Sequence, residues 1–100
     1  MDKKVYQLRI YYLSDLKSAE IYYKVHWKKH LTSLPKFGIS VEKVFYSKDE
    51  PKVVALVYYN EGVDPKEAND KYMKSQELLD DMKGFDFKNI IKVDELFLYQ

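Results

Sequence analysis

The hydrophobic period of this chain switches between that of a strand and that of a helix in the order β-α-β-β-α-β, and few folds accept that order. Val5-Tyr6-Gln7-Leu8-Arg9-Ile10-Tyr11-Tyr12-Leu13 is rich in β-branched and aromatic residues and predicts a first strand. Ser14-Asp15 can cap the segment that follows. In that segment Ala19, Tyr22, Tyr23, His26, Trp27, His30, Leu31 and Leu34 recur at helical spacing. Pro35 disturbs this helix and Gly38 can end it. Residues 39–47 alternate again and predict a second strand. After the polar turn Lys48-Asp49-Glu50-Pro51, Lys52–Tyr59 predicts a third strand that is apolar on both faces. Asp64-Pro65-Lys66-Glu67 is a helix start with an N-cap, a proline at the first helical position and a capping-box glutamate. Ala68, Tyr72, Ser75, Leu79 and Met82 follow at helical spacing, with Gly84 just past the end, and Ile90–Tyr99 predicts the fourth strand. The order predicts one α+β domain over residues 1–100, a ferredoxin-like sandwich. Its four antiparallel strands would run in the order 4-1-3-2, with both helices on one face.

A sheet covered by helices on one side should alternate apolar and polar residues. Strands one and three do not. In strand one, Tyr6, Leu8, Ile10 and Tyr12 share one face, and Val5, Gln7, Arg9, Tyr11 and Leu13 share the other. Leu8 and Ile10 are the cleaner core pair, which predicts the first set under the helices. The second, mixed set would then face outward, where an apolar patch calls for a partner. A second copy of the sheet, packed face to face, would cover it and enclose Arg9, Gln7 and Tyr11. This predicts a homodimer through the open sheet face.

Composition excludes several classes of function. The net charge is +1, from seventeen Lys and Arg against sixteen Asp and Glu. No basic block stands apart, so nucleic-acid binding finds no electrostatic footprint. Cysteine is absent, which removes disulfides and thiolate chemistry. No apolar run reaches membrane-spanning length, and Met1-Asp2-Lys3-Lys4 leads directly into a strand with no signal-peptide apolar region. A soluble cytoplasmic protein with no membrane partner is the expectation. Sixteen per cent of residues are aromatic, more than one small core needs, so some should line a pocket or an interface.

Arg9 is the chain's only arginine, placed within its most apolar strand. A guanidinium cannot lose its proton there and needs an anion or a dense hydrogen-bond shell. Glu95, on strand four beside strand one, could supply the anion and make Arg9 structural. Alternatively Arg9 holds a ligand.

Tyr6-x-Leu8-Arg9-x-Tyr11 resembles the Tyr-Glu-Leu-Arg-x-Tyr opening of NIPSNAP-like domains. His26-Trp27-Lys28-Lys29-His30-Leu31, followed by Lys36-Phe37-Gly38-Ile39, resembles the helix end of the same family, Trp-x-x-x-His-Leu…Gly-Ile. The resemblance implies the dimeric α/β-barrel superfamily, whose other branches include antibiotic-biosynthesis-type monooxygenases, haem-degrading monooxygenases, EthD-like proteins and muconolactone isomerases. Gln7 stands where the pattern often has glutamate, and strand three lacks the tryptophan of the haem-degrading branch. What the resemblance implies is therefore a small-molecule-binding dimer. It would act as a cofactor-independent monooxygenase or isomerase on an aromatic or polyketide-like compound. A non-catalytic assembly or regulatory module, its interior serving only the dimer, is the alternative.

His30 matches the family's helix-end histidine and, with Arg9, is a candidate catalytic residue. Arg9, Gln7, Tyr11, Tyr58 and Trp27 are the candidate substrate-binding set. Each aromatic has a second reading as ordinary packing. His26 and His30, four apart on one helix face, have the spacing of a two-histidine metal site. There is no third histidine, so no metal and no cofactor is expected. The plainer reading is one histidine packed on the sheet and the other capping the helix or facing solvent.

Overall fold

The computed structural model describes residues 5–99. The expected run of Met1-Asp2-Lys3-Lys4 into the first strand lies outside the described residues. Strand β1 (Val5–Leu13) is central, pairing antiparallel with β3 (Lys52–Tyr59) on one side and β4 (Ile90–Tyr99) on the other. Strand β2 (Ile39–Tyr46) pairs with the outer side of β3, giving the order β2-β3-β1-β4, which is the expected 4-1-3-2 order read from its other end. The chain is a ferredoxin-like sandwich. No helix among the described residues is long and apolar enough to cross a membrane.

The sheet faces the helices with the opposite side from the one expected. Val53, Ala55, Val57 and Tyr59 of β3 are buried beneath the helices, while Val54, Leu56 and Tyr58 are only partly covered. Register carries β1 with them, because Gln7 lies opposite Val57, Arg9 opposite Ala55 and Tyr11 opposite Val53. Gln7 and Arg9 are therefore buried, and Tyr6, Leu8, Ile10 and Tyr12 lie on the open face. The expectation that Arg9, Gln7 and Tyr11 fill the space between two sheets is corrected accordingly. Apolar content points to Leu8 and Ile10, and the structure buries the mixed set instead. Room and hydrogen bonds decide: Ala55 leaves space for the guanidinium, and the buried polar groups find partners there.

The first helical layer begins at Asp15, whose carboxylate accepts from Ser18 N at 2.7 Å and caps α1 (Leu16–Ile21). A π-helical stretch, Tyr22–Trp27, follows, then α2 (Lys28–Ser33) and a 3₁₀ turn, Leu34–Phe37, that accommodates Pro35. In the wider π turn residue i+5 sits over residue i, so Trp27 comes round over Tyr22, with ring centroids 6.3 Å apart. Tyr22, His26 and Trp27 are all buried as a result. Gly38 closes the layer at φ 81°, and a Cβ there would meet Val63 Cγ2 at 2.7 Å.

The second layer is two helices, not one. Asp64 caps α3 (Pro65–Met73), accepting from Glu67 N at 3.1 Å. Ser75 then breaks the run and caps α4 (Gln76–Asp81), its Oγ accepting from Leu78 N at 3.1 Å. The break shifts the inward position by one residue: Leu78 is 7% exposed and Leu79, the expected core residue, is 60% exposed.

Candidate functional site

Two buried polar groups stand on the helix side of the sheet. The first surrounds Arg9. Its Nε donates to Gln7 Oε1 at 2.6 Å, and its Nη2 donates to Tyr59 Oη at 3.0 Å and Asn69 Oδ1 at 2.7 Å. Tyr59 passes its own proton to Gln7 Oε1 at 2.9 Å and accepts from Asn69 Nδ2 at 2.8 Å. Every partner is neutral. Glu95 lies directly across the strand pair from Arg9, yet among the described residues no carboxylate forms an ion pair with the guanidinium. Burial opposes the positive charge, but the Tyr11 and Tyr59 hydroxyls outweigh it and hold the Arg9 pKa above its ordinary value. Three of the five N–H groups are used. The pair on Nη1 makes no hydrogen bond of good geometry among the described residues, although the Tyr11 hydroxyl stands close enough to the guanidinium to stabilise its charge.

The second group surrounds Asp81, a buried carboxylate at the end of α4. Ser33 Oγ donates to its Oδ1 at 3.0 Å and Tyr72 Oη to its Oδ2 at 2.7 Å. Tyr72 Oη also lies 2.6 Å from His30 Nδ1, which is 3.3 Å from Asp81 Oδ2. His26 Nδ1 donates to the Asp81 carbonyl at 2.7 Å, since a carbonyl can only accept. Burial lowers the His30 pKa from 6.5 to about 4, with the Asp81 carboxylate only partly offsetting it, so the imidazole is neutral at pH 7. Burial, reinforced by Asp81, pushes the Tyr72 phenol well up.

Between the two groups lies a cavity of about 450 Å³, bounded by β1 and β4 below and the helices above. This falls within the roughly 300–1,000 Å³ of small-molecule sites. Arg9, His30, Asn69 and Tyr72 are among the polar side chains that line it, and Glu95, an exposed residue, lines it too. Tyr11, Tyr22 and Trp27 form an aromatic wall: Tyr11 meets Trp27 edge-on at 5.8 Å and Tyr22 at 5.3 Å, and Trp27 meets the His30 ring at 4.9 Å. The Trp27 N–H is buried without an acceptor.

The structure thus gathers Arg9, Tyr11, Trp27 and His30 around one cavity, with Gln7 behind Arg9 as its anchor. Tyr58 is placed elsewhere: it sits on the open face of the sheet, with its ring 5.7 Å from that of Tyr6. Both histidines are buried, so neither faces solvent, and each has its Nδ1 engaged within the protein. No three of His, Cys, Asp and Glu gather in a metal-holding cluster among the described residues. Tyr59, Asn69, Tyr72 and Asp81 were not anticipated. Tyr72 carried a signal in its helical spacing. Tyr59 differs from Tyr58 only by strand parity, which the wrong choice of face concealed.

No protein-family model matches the sequence, and no curated protein matches it. Solved structures do. A NIPSNAP family protein of unknown function from Agrobacterium tumefaciens is 16% identical, with 97% of this chain and 87% of that chain covered at a TM-score of 0.73. A second NIPSNAP family protein from the same organism is 15% identical, with 95% and 90% covered at a TM-score of 0.68. A separate structure of the first gives 16% identity, 94% and 90% coverage and a TM-score of 0.68. The chain has the ferredoxin-like fold of NIPSNAP family proteins.

Proposed function

We propose that this protein is a homodimer that binds an anionic aromatic or polyketide-like small molecule in the cavity between its sheet and its helices. The observation that carries the reading is the Arg9 guanidinium. It is buried at the cavity wall and held by neutral side chains, and only three of its five N–H groups make hydrogen bonds of good geometry among the described residues. A structural arginine would have taken Glu95, its cross-strand neighbour, as its anion. A carboxylate or enolate oxygen of a ligand fits the remaining donors, and the aromatic wall fits a flat ring. Glu95 is exposed, so water screens its repulsion of an anion.

The chemistry that suits these groups is removal of a proton next to a carbonyl. His30 would take the proton, and Arg9 would receive the enolate oxygen. Isomerisation, or attack of dioxygen on the enolate, starts from such a species without a cofactor.

Dimerisation rests on the open face. Leu8, Ile10, Val54, Leu56 and Leu96 form its centre. Tyr12, Asp94 and Lys92 rim one end, where Tyr12 donates to Asp94 Oδ2 at 2.9 Å and Lys92 lies over the Tyr12 ring. An apolar centre with a polar rim is the anatomy of a protein interface.

Thermal-shift titration tests the pocket. Naphthoate and benzoate should raise the melting temperature with concentration, and their amides should do so far less. No shift with any aromatic acid, or equal shifts with acid and amide, would remove Arg9 as the ligand's anchor.

A further inference from the structure

The protons around Asp81 limit the kind of ligand the cavity accepts, an inference that rests on the pocket reading. Tyr72 Oη, His30 Nδ1 and Asp81 Oδ2 form a triangle with sides of 2.6, 2.7 and 3.3 Å. Tyr72 has one proton. If it pointed to His30 Nδ1, the phenol oxygen and the carboxylate oxygen would face each other at 2.7 Å with no hydrogen between them. The carboxylate is the stronger acceptor, so the phenol donates to Asp81. The 2.6 Å contact then needs a second proton, and only His30 Nδ1 can carry it. A neutral imidazole protonated at Nδ1 bears a lone pair at Nε2. His30 Nε2 meets no protein donor among the described residues and is not sealed, while the ring lines the cavity.

We infer that Asp81 and Tyr72 are positioning residues that fix His30 as the Nδ1–H tautomer, so that Nε2 accepts a hydrogen bond from the ligand. The ligand class narrows accordingly. One end carries an anionic or carbonyl oxygen for Arg9, and the other carries an acidic O–H for His30. Hydroxylated aromatic acids and enols have both. An aromatic acid without a donor has only one.

Two measurements on the full chain test this. Long-range ¹H–¹⁵N correlation on the ligand-free protein reads the tautomer directly. The expected result is a protonated Nδ1 and an unprotonated Nε2 for His30; a proton on Nε2 overturns the inference whatever binds. Calorimetric titration with the three positional isomers of hydroxybenzoate, each beside its methyl ether, reads the acceptor. The tightest isomer should lose about tenfold in affinity on methylation, because a buried acceptor is left unpaired. Equal affinity of phenol and ether, with benzoates still binding, overturns the inference and leaves the pocket reading standing. Failure of every benzoate to bind overturns both.

Discussion

The two faces of this sheet have exchanged the roles that polarity assigns them. The face beneath the helices carries an arginine, a glutamine and a tyrosine hydroxyl, all buried and bonded. The open face carries an aliphatic centre, Leu8, Ile10, Val54 and Leu56, with Leu96 at 57% exposure beside it. A polar residue in a strand is thus no guide to the solvent side when the interior offers it hydrogen-bond partners, and an apolar residue is no guide to the core when both faces carry them. The covered face is specified by buried hydrogen bonds, the open one by apolar area with a Tyr12–Asp94 bond at its rim.

Four outcomes would break or sharpen that contrast. The largest belongs to the covered face. Asp81→Ala leaves the Ser33 and Tyr72 hydroxyls without their acceptor. At ~1–3 kcal/mol for each buried unpaired donor, the loss should be about 3 kcal/mol, measured by urea unfolding. That corresponds to a fall in melting temperature of roughly 12–24 °C for a domain of this size. A loss below about 1 kcal/mol would show that the carboxylate is dispensable to the fold.

Acid should act on the same face. The folded His30 pKa lies at about 4, below its ordinary 6.5, so the unfolded chain binds a proton that the folded chain refuses. The stability that a neutral His30 contributes is complete above pH 6.5 and declines as the pH falls towards about 4. The slope approaches about 1.4 kcal/mol per pH unit in that window. His30→Gln should flatten it; an unchanged slope in that variant would place the acid sensitivity elsewhere.

On the open face, Leu56→Asp puts a carboxylate at the centre of the proposed interface. The wild-type protein should sediment at twice its 12.0 kDa chain mass and the variant at 12.0 kDa, with unaltered far-UV circular dichroism. The dimer dissociation constant should rise more than tenfold, since an unpaired charge would be buried. A wild-type chain that sediments at 12.0 kDa at micromolar concentration would leave the apolar face without its explanation.

The smallest change in stability is expected at Arg9. In Arg9→Met, water from the cavity can reach Gln7 Oε1 and Asn69 Oδ1, so the fold should lose no more than about 1 kcal/mol. The melting shift with aromatic acids should nevertheless disappear. Arg9→Met that unfolds as readily as Asp81→Ala would make the arginine a structural element and the cavity a by-product.

Much of this architecture was legible in the residues themselves. Val5–Leu13, Lys52–Tyr59 and Ile90–Tyr99 have the boundaries their composition predicts. The capping chemistry of Asp64-Pro65 placed the second helical layer. What periodicity could not supply was parity. Leu8 and Ile10 are the cleaner core pair by composition, yet Gln7 and Arg9 lie inward, and the candidate set held Tyr58 where the structure buries Tyr59. Asp81 was hidden for a related reason. A single uninterrupted helix puts Leu79 inward, whereas the Ser75 break puts Leu78 inward and brings Asp81 round with it. A hydroxyl that caps one helix and splits another leaves the same mark in a sequence.

The π-helical stretch Tyr22–Trp27 makes the cavity sensitive to length as well as to chemistry. Because a π turn holds one residue more than an α turn, removing one residue from it would restore ordinary α-helical winding and leave the helix downstream facing the same way. His30 would keep its place beside Tyr72, but Trp27 would no longer come round over Tyr22, and the aromatic wall would lose that contact. A one-residue deletion here should therefore spare the fold and the Tyr72–His30 contact and reshape one wall of the cavity alone.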